Sequence, residues 1–505
     1  MITKVELEEE EEKLTSGISG LDDILRGGFP KGCLYLITGT PGTGKTSLAI
    51  QFLLEGVVQG ERSLYVTLSE SRVEISKVAR SHGWNLNGLE IEELIPSEHN
   101  LSADAQLTVF NPSEMELGET TEALIAAVNK HRPQRLVIDS LSELRLIAQS
   151  PLRYRRQVLA LKQFFGGQDC TVLLLDDRTG GIEDDHLQSI AHGVVMLELL
   201  ANQFGAERRR VRVSMMRGVA FRGGFHDFAI RRGGLDVFPR LVASEHVTEF
   251  VDEHVASGNP QLDGLLGGGI PTGTSTLLLG PAGTGKSTVA TQFAAATAAR
   301  GQRVAMFVFD ENISTFRSRS RKLGLKIEDH LQSGMITVQQ VDPAELSAGE
   351  FATIVRRAAE GSDKAGVPAR MIIVDSLNGY LNAMPEEKFL TAQLHELLSY
   401  LGQQGVVTIM TVTQAGMVGN MVSPVDTTYL ADNVILFRFF EAEGTVRRAI
   451  SVVKKRNGYH ERTIRELDLD ATGIVIGEPL TDFHGVLTGV PTYLGSLDPL
   501  RRPPK

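Results

Sequence analysis

Two short stretches of this chain have the residue types and spacing that cradle phosphate: "GTPGTGKTS", Gly39 to Ser47, and "GPAGTGKST", Gly280 to Thr288. Both fit G-x-x-x-x-G-K-[ST]. In the first, Gly39, Gly42 and Gly44, interleaved with Thr40 and Thr43, let backbone N–H groups turn inward around phosphate oxygens, and Lys45, Thr46 and Ser47 then open a helix. In the second, Gly280, Gly283, Thr284 and Gly285 lead into Lys286, Ser287 and Thr288. The lysine reaches the β- and γ-phosphates of a nucleotide, and the hydroxyl of Thr46 or Ser287 holds Mg²⁺.

Mg²⁺ also calls for a carboxylate at the end of a neighbouring strand, and "LVIDS" and "IIVDS" supply Asp139 and Asp375. Hydrolysis further needs a base that orients the attacking water. The strand after each loop helix ends in acid: "FVFDEN" gives Asp310 and Glu311, whereas "YVTLSES" gives Ser69 and Glu70. Adjacent strand residues point to opposite sides, so one member of each pair faces the water. If it is the second, Glu70 and Glu311 keep both sites competent; if it is the first, Ser69 cripples the earlier site. Cations that neutralise charge developing on the γ-phosphate are offered by "RRAISVVKKRNGYH", with Arg448, Lys454, Arg456 and His460. The earlier counterpart, "RRVRVSMMRGVAF", keeps Arg217 but has Met215 and Phe221 where Lys and His align.

The elements that position these groups are written twice. Residues 16 to 53 align without a gap on 257 to 294, and the later strands follow in the same order, which marks a domain duplication. Each copy alternates short, nearly continuous apolar runs with longer amphipathic segments. The fold class is therefore α/β: two tandem P-loop domains, each a mainly parallel sheet with helices on both faces. "NVILFRFF" and "RRAISVVKKR" alternate more and read as an antiparallel hairpin appended to the sheet. The expected boundaries are an acidic tail at 1–14, an N-terminal domain at 15–245, a C-terminal domain at 246–478 and a tail at 479–505.

Composition narrows the classes. A net charge of −11 opposes a surface that grips nucleic acid by bulk electrostatics. Two cysteines, Cys33 and Cys170, make no disulfide framework and suggest a reducing compartment. The acidic N-terminus is unlike a secretory or mitochondrial leader and no apolar run approaches a membrane span, so the expectation is cytoplasmic, with no membrane partner.

Taken in order, the duplicated loops, the "SGxxxLD" openings, the strand-end "DE" and "SE", the "DS" strands and "KKRNGYH" resemble the KaiC family of circadian-clock ATPases, from about Ser16 to Leu494. That resemblance implies that the two tandem P-loop domains are RecA-like, and that the chain forms a homohexamer of two stacked rings with ATP and Mg²⁺ between subunits, a slowly hydrolysing N-terminal ring, and a C-terminal ring that phosphorylates Ser and Thr on the neighbouring subunit. It makes the strand-end carboxylates catalytic bases and brings Lys454, Arg456 and His460 to the nucleotide from across the interface. It also implies a KaiB-like or other signalling protein as partner. The family phosphosites fall on Thr428 and Tyr429, with Thr427 adjacent. A Thr-Tyr pair in place of Ser-Thr makes Thr428 the expected acceptor and leaves an ordered two-site cycle unsupported. The chain stops soon after "LTGVPTYLGS", so a KaiA-dependent oscillator is not implied. Two alternatives stand beside this expectation. A DNA-dependent RecA-like motor or recombinase is opposed by the acidic balance. A scaffold assembled by ATP with little catalysis is favoured by the poorer N-terminal site.

Overall fold

A computed structural model describes residues 12–94, 112–178, 188–201, 205–382, 390–414, 428–488 and 491–494. Most of the acidic tail, Thr427 and the chain after Leu494 lie outside the described residues. The chain divides into two compact units, Met1–Arg240 and Leu241–Lys505.

Among the described residues, each unit is built on one nine-stranded sheet. Counting only main-sheet strands, the first unit has β1 (Leu34–Gly39), β2 (Ser63–Thr67), β3 (Leu89–Glu93), β4 (Arg135–Asp139), β5 (Thr171–Asp177), β6 (Gly193–Leu200), β7 (Arg208–Met216), β8 (His226–Arg231) and β9 (Gly234–Phe238). Its spatial order is β3-β2-β4-β5-β1-β6-β7-β8-β9. The second unit has β10 (Ser275–Gly280), β11 (Arg303–Val308), β12 (Ile336–Gln340), β13 (Ala369–Asp375), β14 (Val407–Thr413), β15 (Asn433–Ala442), β16 (Thr445–Lys455), β17 (Arg465–Asp470) and β18 (Gly473–Pro479). It repeats the order as β12-β11-β13-β14-β10-β15-β16-β17-β18.

The apolar strand runs are buried on both faces, and alternate residues divide between the two. In β1, Tyr35 and Ile37 pack with Leu48 and Phe52, while Leu34 and Leu36 pack with Leu136 and Val172 on the other side. β10 divides likewise: Leu278 packs with Val289 and Phe293, and Leu277 and Leu279 pack with Leu394 and Met410. The helices behind the loops, α1 (Lys45–Val58) and α3 (Lys286–Ala299), each start from a glycine in the left-handed region, Gly44 at φ 100° and Gly285 at φ 103°. Glycine adopts that conformation without the Cβ penalty that other residues meet. The helices after β2 and β11 are α2 (Arg72–His82) and α4 (Ile313–Lys322).

One expectation is modified. The "NVILFRFF" strand, β15, pairs antiparallel with β16 but runs parallel to β10 on its other side. The hairpin thus begins inside the parallel layer, because β10 otherwise exposes an unpaired edge and the buried Val434, Ile435 and Phe437 of β15 fit that position. The first unit repeats this with β6, parallel to β1 and antiparallel to β7.

Candidate functional site

In the second unit, the strand ends and the loop surround a cavity of about 1090 Å³. Lys286, Ser287 and Thr288 enter from the first turn of α3, Asp310 and Glu311 from the exit of β11, Asp375 from β13, and Arg319 from α4. Parallel strands put their C-terminal ends side by side at one end of the sheet, so groups distant in sequence converge there.

Burial draws the pKa of Lys286 down from its ordinary 10.5 to about 8, against the opposing pull of Asp375. The ammonium donates to the carbonyls of Gly280 at 2.8 Å and Pro281 at 2.7 Å, and Thr284 Oγ1 braces the loop by donating to Pro281 O at 2.8 Å. Asp375 accepts a hydrogen bond from Thr411 Oγ1 at 2.6 Å. Asp310 accepts from Ser376 Oγ. Glu311 is gripped by Arg319, whose Nη2 and Nε lie 2.8 and 3.2 Å from its carboxylate. Arg319 Nη1 also points at Thr288 Oγ1, 3.5 Å away. Both acidic residues therefore line one cavity, with Asp310 held by the chain after β13 and Glu311 by a cation.

The first unit has the same scaffold with different attendants. Lys45 donates to Gly39 O at 2.9 Å and Thr40 O at 3.0 Å, and its ammonium also lies 2.6 Å from Asp177 Oδ1. Thr43 Oγ1 braces this loop through Thr40 O at 2.8 Å. Thr46 Oγ1 donates to Asp139 Oδ2 at 3.2 Å, and the Tyr65 hydroxyl donates to the same oxygen. Asp139 is held above the usual carboxylate range by burial, with Asp177 adding and the Tyr65 and Thr46 hydrogen bonds opposing. Glu70 is raised as well, first by burial and then by Asp139, Glu74 and Asp177, and its buried Oε2 has no hydrogen-bond partner among the described residues. Ser69 faces solvent. Ser47 Oγ lies 3.0 Å from His82 Nε2, and His82 Nδ1 lies 2.9 Å from Arg231 O. Since a carbonyl only accepts, Nδ1 carries the proton in the neutral ring and Nε2 accepts from Ser47.

The four cations assigned from the second hairpin separate. Arg448 turns to its own loop, with Nε 3.3 Å from Gly283 O. Lys454 donates to the carbonyls of Thr428 at 3.0 Å and Ala431 at 2.7 Å, and Arg456 pairs with Asp432 at 3.0 Å. His460 is half-buried beyond the strand end. Thr428 is half-buried and Tyr429 is 59% exposed. Lys454 and Arg456 thus bind the turn that carries both hydroxyls. In the first unit, exposed Arg217 donates to Ser189 O at 2.6 Å.

Sequence reasoning missed Arg319, Asp177, Tyr65 and His82. Arg319 and His82 sit on helices whose faces could have been weighed: α4 has Arg319 where α2 has Val78, and the chain has Leu323 just past α4 where α2 has His82. Asp177 is signalled by two adjacent acids, Asp176 and Asp177, closing an otherwise apolar strand.

Both units match one protein family, described as ATPase: KaiC, over residues 14–242 and 255–481. The circadian clock oscillator protein KaiC of Thermostichus vulcanus is 26% identical over 498 residues, covering 96% of this chain and 93% of that protein. The circadian clock protein KaiC3 of Synechocystis sp. is 27% identical over 492 residues, covering 95% of each. KaiC of Synechococcus elongatus is 27% identical over 490 residues, covering 95% of this chain and 92% of that one.

Proposed function

The chain belongs to the KaiC ATPase family, and from that premise we propose that it is a Mg²⁺-dependent ATP hydrolase whose second unit also phosphorylates its own Thr428. We propose further that six copies form a double ring with ATP between neighbours, acting in timekeeping or signalling. The clock-protein names of the relatives support that role, and a KaiB-like or other signalling protein is the expected partner.

The observation that carries the enzymatic reading is the convergence of Lys286, Ser287, Glu311 and Asp375 on one cavity. The lysine there holds the terminal phosphates, and Glu311 orients the attacking group and takes its proton. Glu70 does the same at the first loop, where its raised pKa makes it a better proton acceptor. Thr46 with Asp139, and Ser287 with Asp375, are the residues that would hold Mg²⁺; an all-oxygen set of one hydroxyl and one carboxylate suits an ion that keeps waters and phosphate oxygens. When bound, the ion neutralises charge on the β- and γ-oxygens. The kinase reading is supported by Lys454, which fastens the Thr428–Ala431 turn through two carbonyls. Incubation of the purified chain with Mg-ATP, followed by peptide mass spectrometry, is expected to find phosphate on Thr428 and to lose it in Thr428→Ala. Phosphate on Tyr429 alone would move the acceptor by one residue, and an unmodified 423–433 peptide would leave hydrolysis without the kinase.

Lys286 also fixes a pH dependence. Its pKa of about 8 without nucleotide rises when phosphate oxygens surround the ammonium, so binding takes up a proton. Affinity is therefore level below about pH 8 and falls as pH climbs through it, by at most about tenfold per unit for a single proton. Titrations of Mg-ATP at pH 7, 8 and 9 in a Lys45→Ala chain check this; a flat profile would refute it.

A further inference from the structure

The lysines of the two loops differ in how completely they are engaged. An ammonium has three N–H donors. For Lys45 three acceptors are in place: the carbonyls of Gly39 and Thr40, and the Asp177 carboxylate at 2.6 Å. Lys286 meets the corresponding two carbonyls, of Gly280 and Pro281. The third place is decided by sheet register. β5 runs beside β1 with Asp177 opposite Gly39, and β14 runs beside β10 with Thr413 opposite Gly280. One unit therefore presents a carboxylate to its lysine where the other presents a neutral hydroxyl residue.

Asp177 is a fixed part of the first site. Lys45 is only 7% exposed, and the second carboxylate oxygen of Asp177 faces the Ser142 hydroxyl at 3.4 Å. It is also near enough to Glu70 and Asp139 to help lift the pKa of each. Those two acids mark the terminal-phosphate side of the loop, so Asp177 stands on the side where a γ-phosphate arrives. To meet that phosphate, Lys45 releases the carboxylate, which is then left beside added negative charge among two further acids.

We propose that Asp177 is a specificity-determining residue of the first site: it competes with the γ-phosphate for Lys45 and biases that site toward nucleoside diphosphate over triphosphate. This rests on the reading that the Gly39 loop binds adenine nucleotide.

The test uses the full chain with the second loop disabled by Lys286→Ala, titrated separately with Mg-ATP and Mg-ADP. Asp177→Asn keeps the size and removes the charge, and Asp177→Thr copies the second unit. Both are expected to tighten ATP relative to ADP by about tenfold or more, the scale of one unit charge a few ångströms away in a partly screened site. Because Lys45 also reaches the β-phosphate, ADP is expected to tighten as well but by less than ATP, and retained ADP binding reports that the variant is folded. An unchanged ATP-to-ADP ratio in variants that still bind ADP overturns the inference, and so does a fall in ATP affinity relative to ADP. If the parent binds neither nucleotide, the loop is no nucleotide site and both readings fall together.

Discussion

In a chain whose first loop is silenced by Lys45→Ala, Glu311→Gln is expected to lower ATP turnover by about 10²- to 10⁴-fold, the range that a positioned general base contributes. Glutamine keeps the length and the oxygen that Arg319 grips at 2.8 Å but cannot take a proton. The loss should therefore appear in kcat, with KM nearly unchanged, because Lys286 and the loop amides still bind the phosphates. Asp310→Asn is the internal comparison. Asp310 already accepts the Ser376 hydroxyl, so its replacement is expected to cost less. If Glu311→Gln retains turnover and Asp310→Asn abolishes it, the base is the first acid of the pair. In that case Ser69 leaves the first site without one.

The second large effect concerns the first unit's framework. Arg135 opens β4, four residues before Asp139, and is 1% exposed. Its Nε meets Glu61 at 2.5 Å, its Nη1 donates to Thr15 O at 2.6 Å and Phe52 O at 3.0 Å, and its guanidinium lies 4.7 Å from the centre of the Phe52 ring. Arg135→Ala leaves the half-buried Glu61 carboxylate and two carbonyls without that partner, so unfolding of the first unit is expected to become easier by about 3–5 kcal/mol. Denaturant titration, followed through Trp84, the chain's single tryptophan, reads this unit directly. Arg135→Met, which fills the space and removes the donors, should recover the packing share alone. A midpoint equal to wild type for Arg135→Ala would show that the network is not holding the strand.

What the sequence disclosed and what it hid separate along one line. Lys45, Thr46, Lys286 and Ser287 are read from contiguous motifs because the loop, its glycines and the helix start are neighbours in the chain. Asp139 and Asp375 are legible because a buried apolar strand ending in acid is itself unusual. The duplication and the α/β class follow from periodicity, and the ATPase: KaiC match covers both copies. Asp177 and Arg319 were not legible as site members. The first reaches Lys45 only through the pairing of β5 with β1, and the second reaches Glu311 only through the rotation of α4. A charge on a strand or helix says nothing of its partner until register and rotation are set. Within the single chain, β16 carries Arg448 to Gly283 and Lys454 to the Thr428 turn, contacts that strand alternation alone does not specify.

The grip of Lys454 on that turn is made entirely through main-chain oxygens, those of Thr428 and Ala431. Such a grip is blind to side-chain identity. It fixes the location and path of the segment whatever side chains stand at 428 and 429, so the hold of Lys454 itself survives the exchange of one hydroxyl for another kind, as threonine and tyrosine stand here.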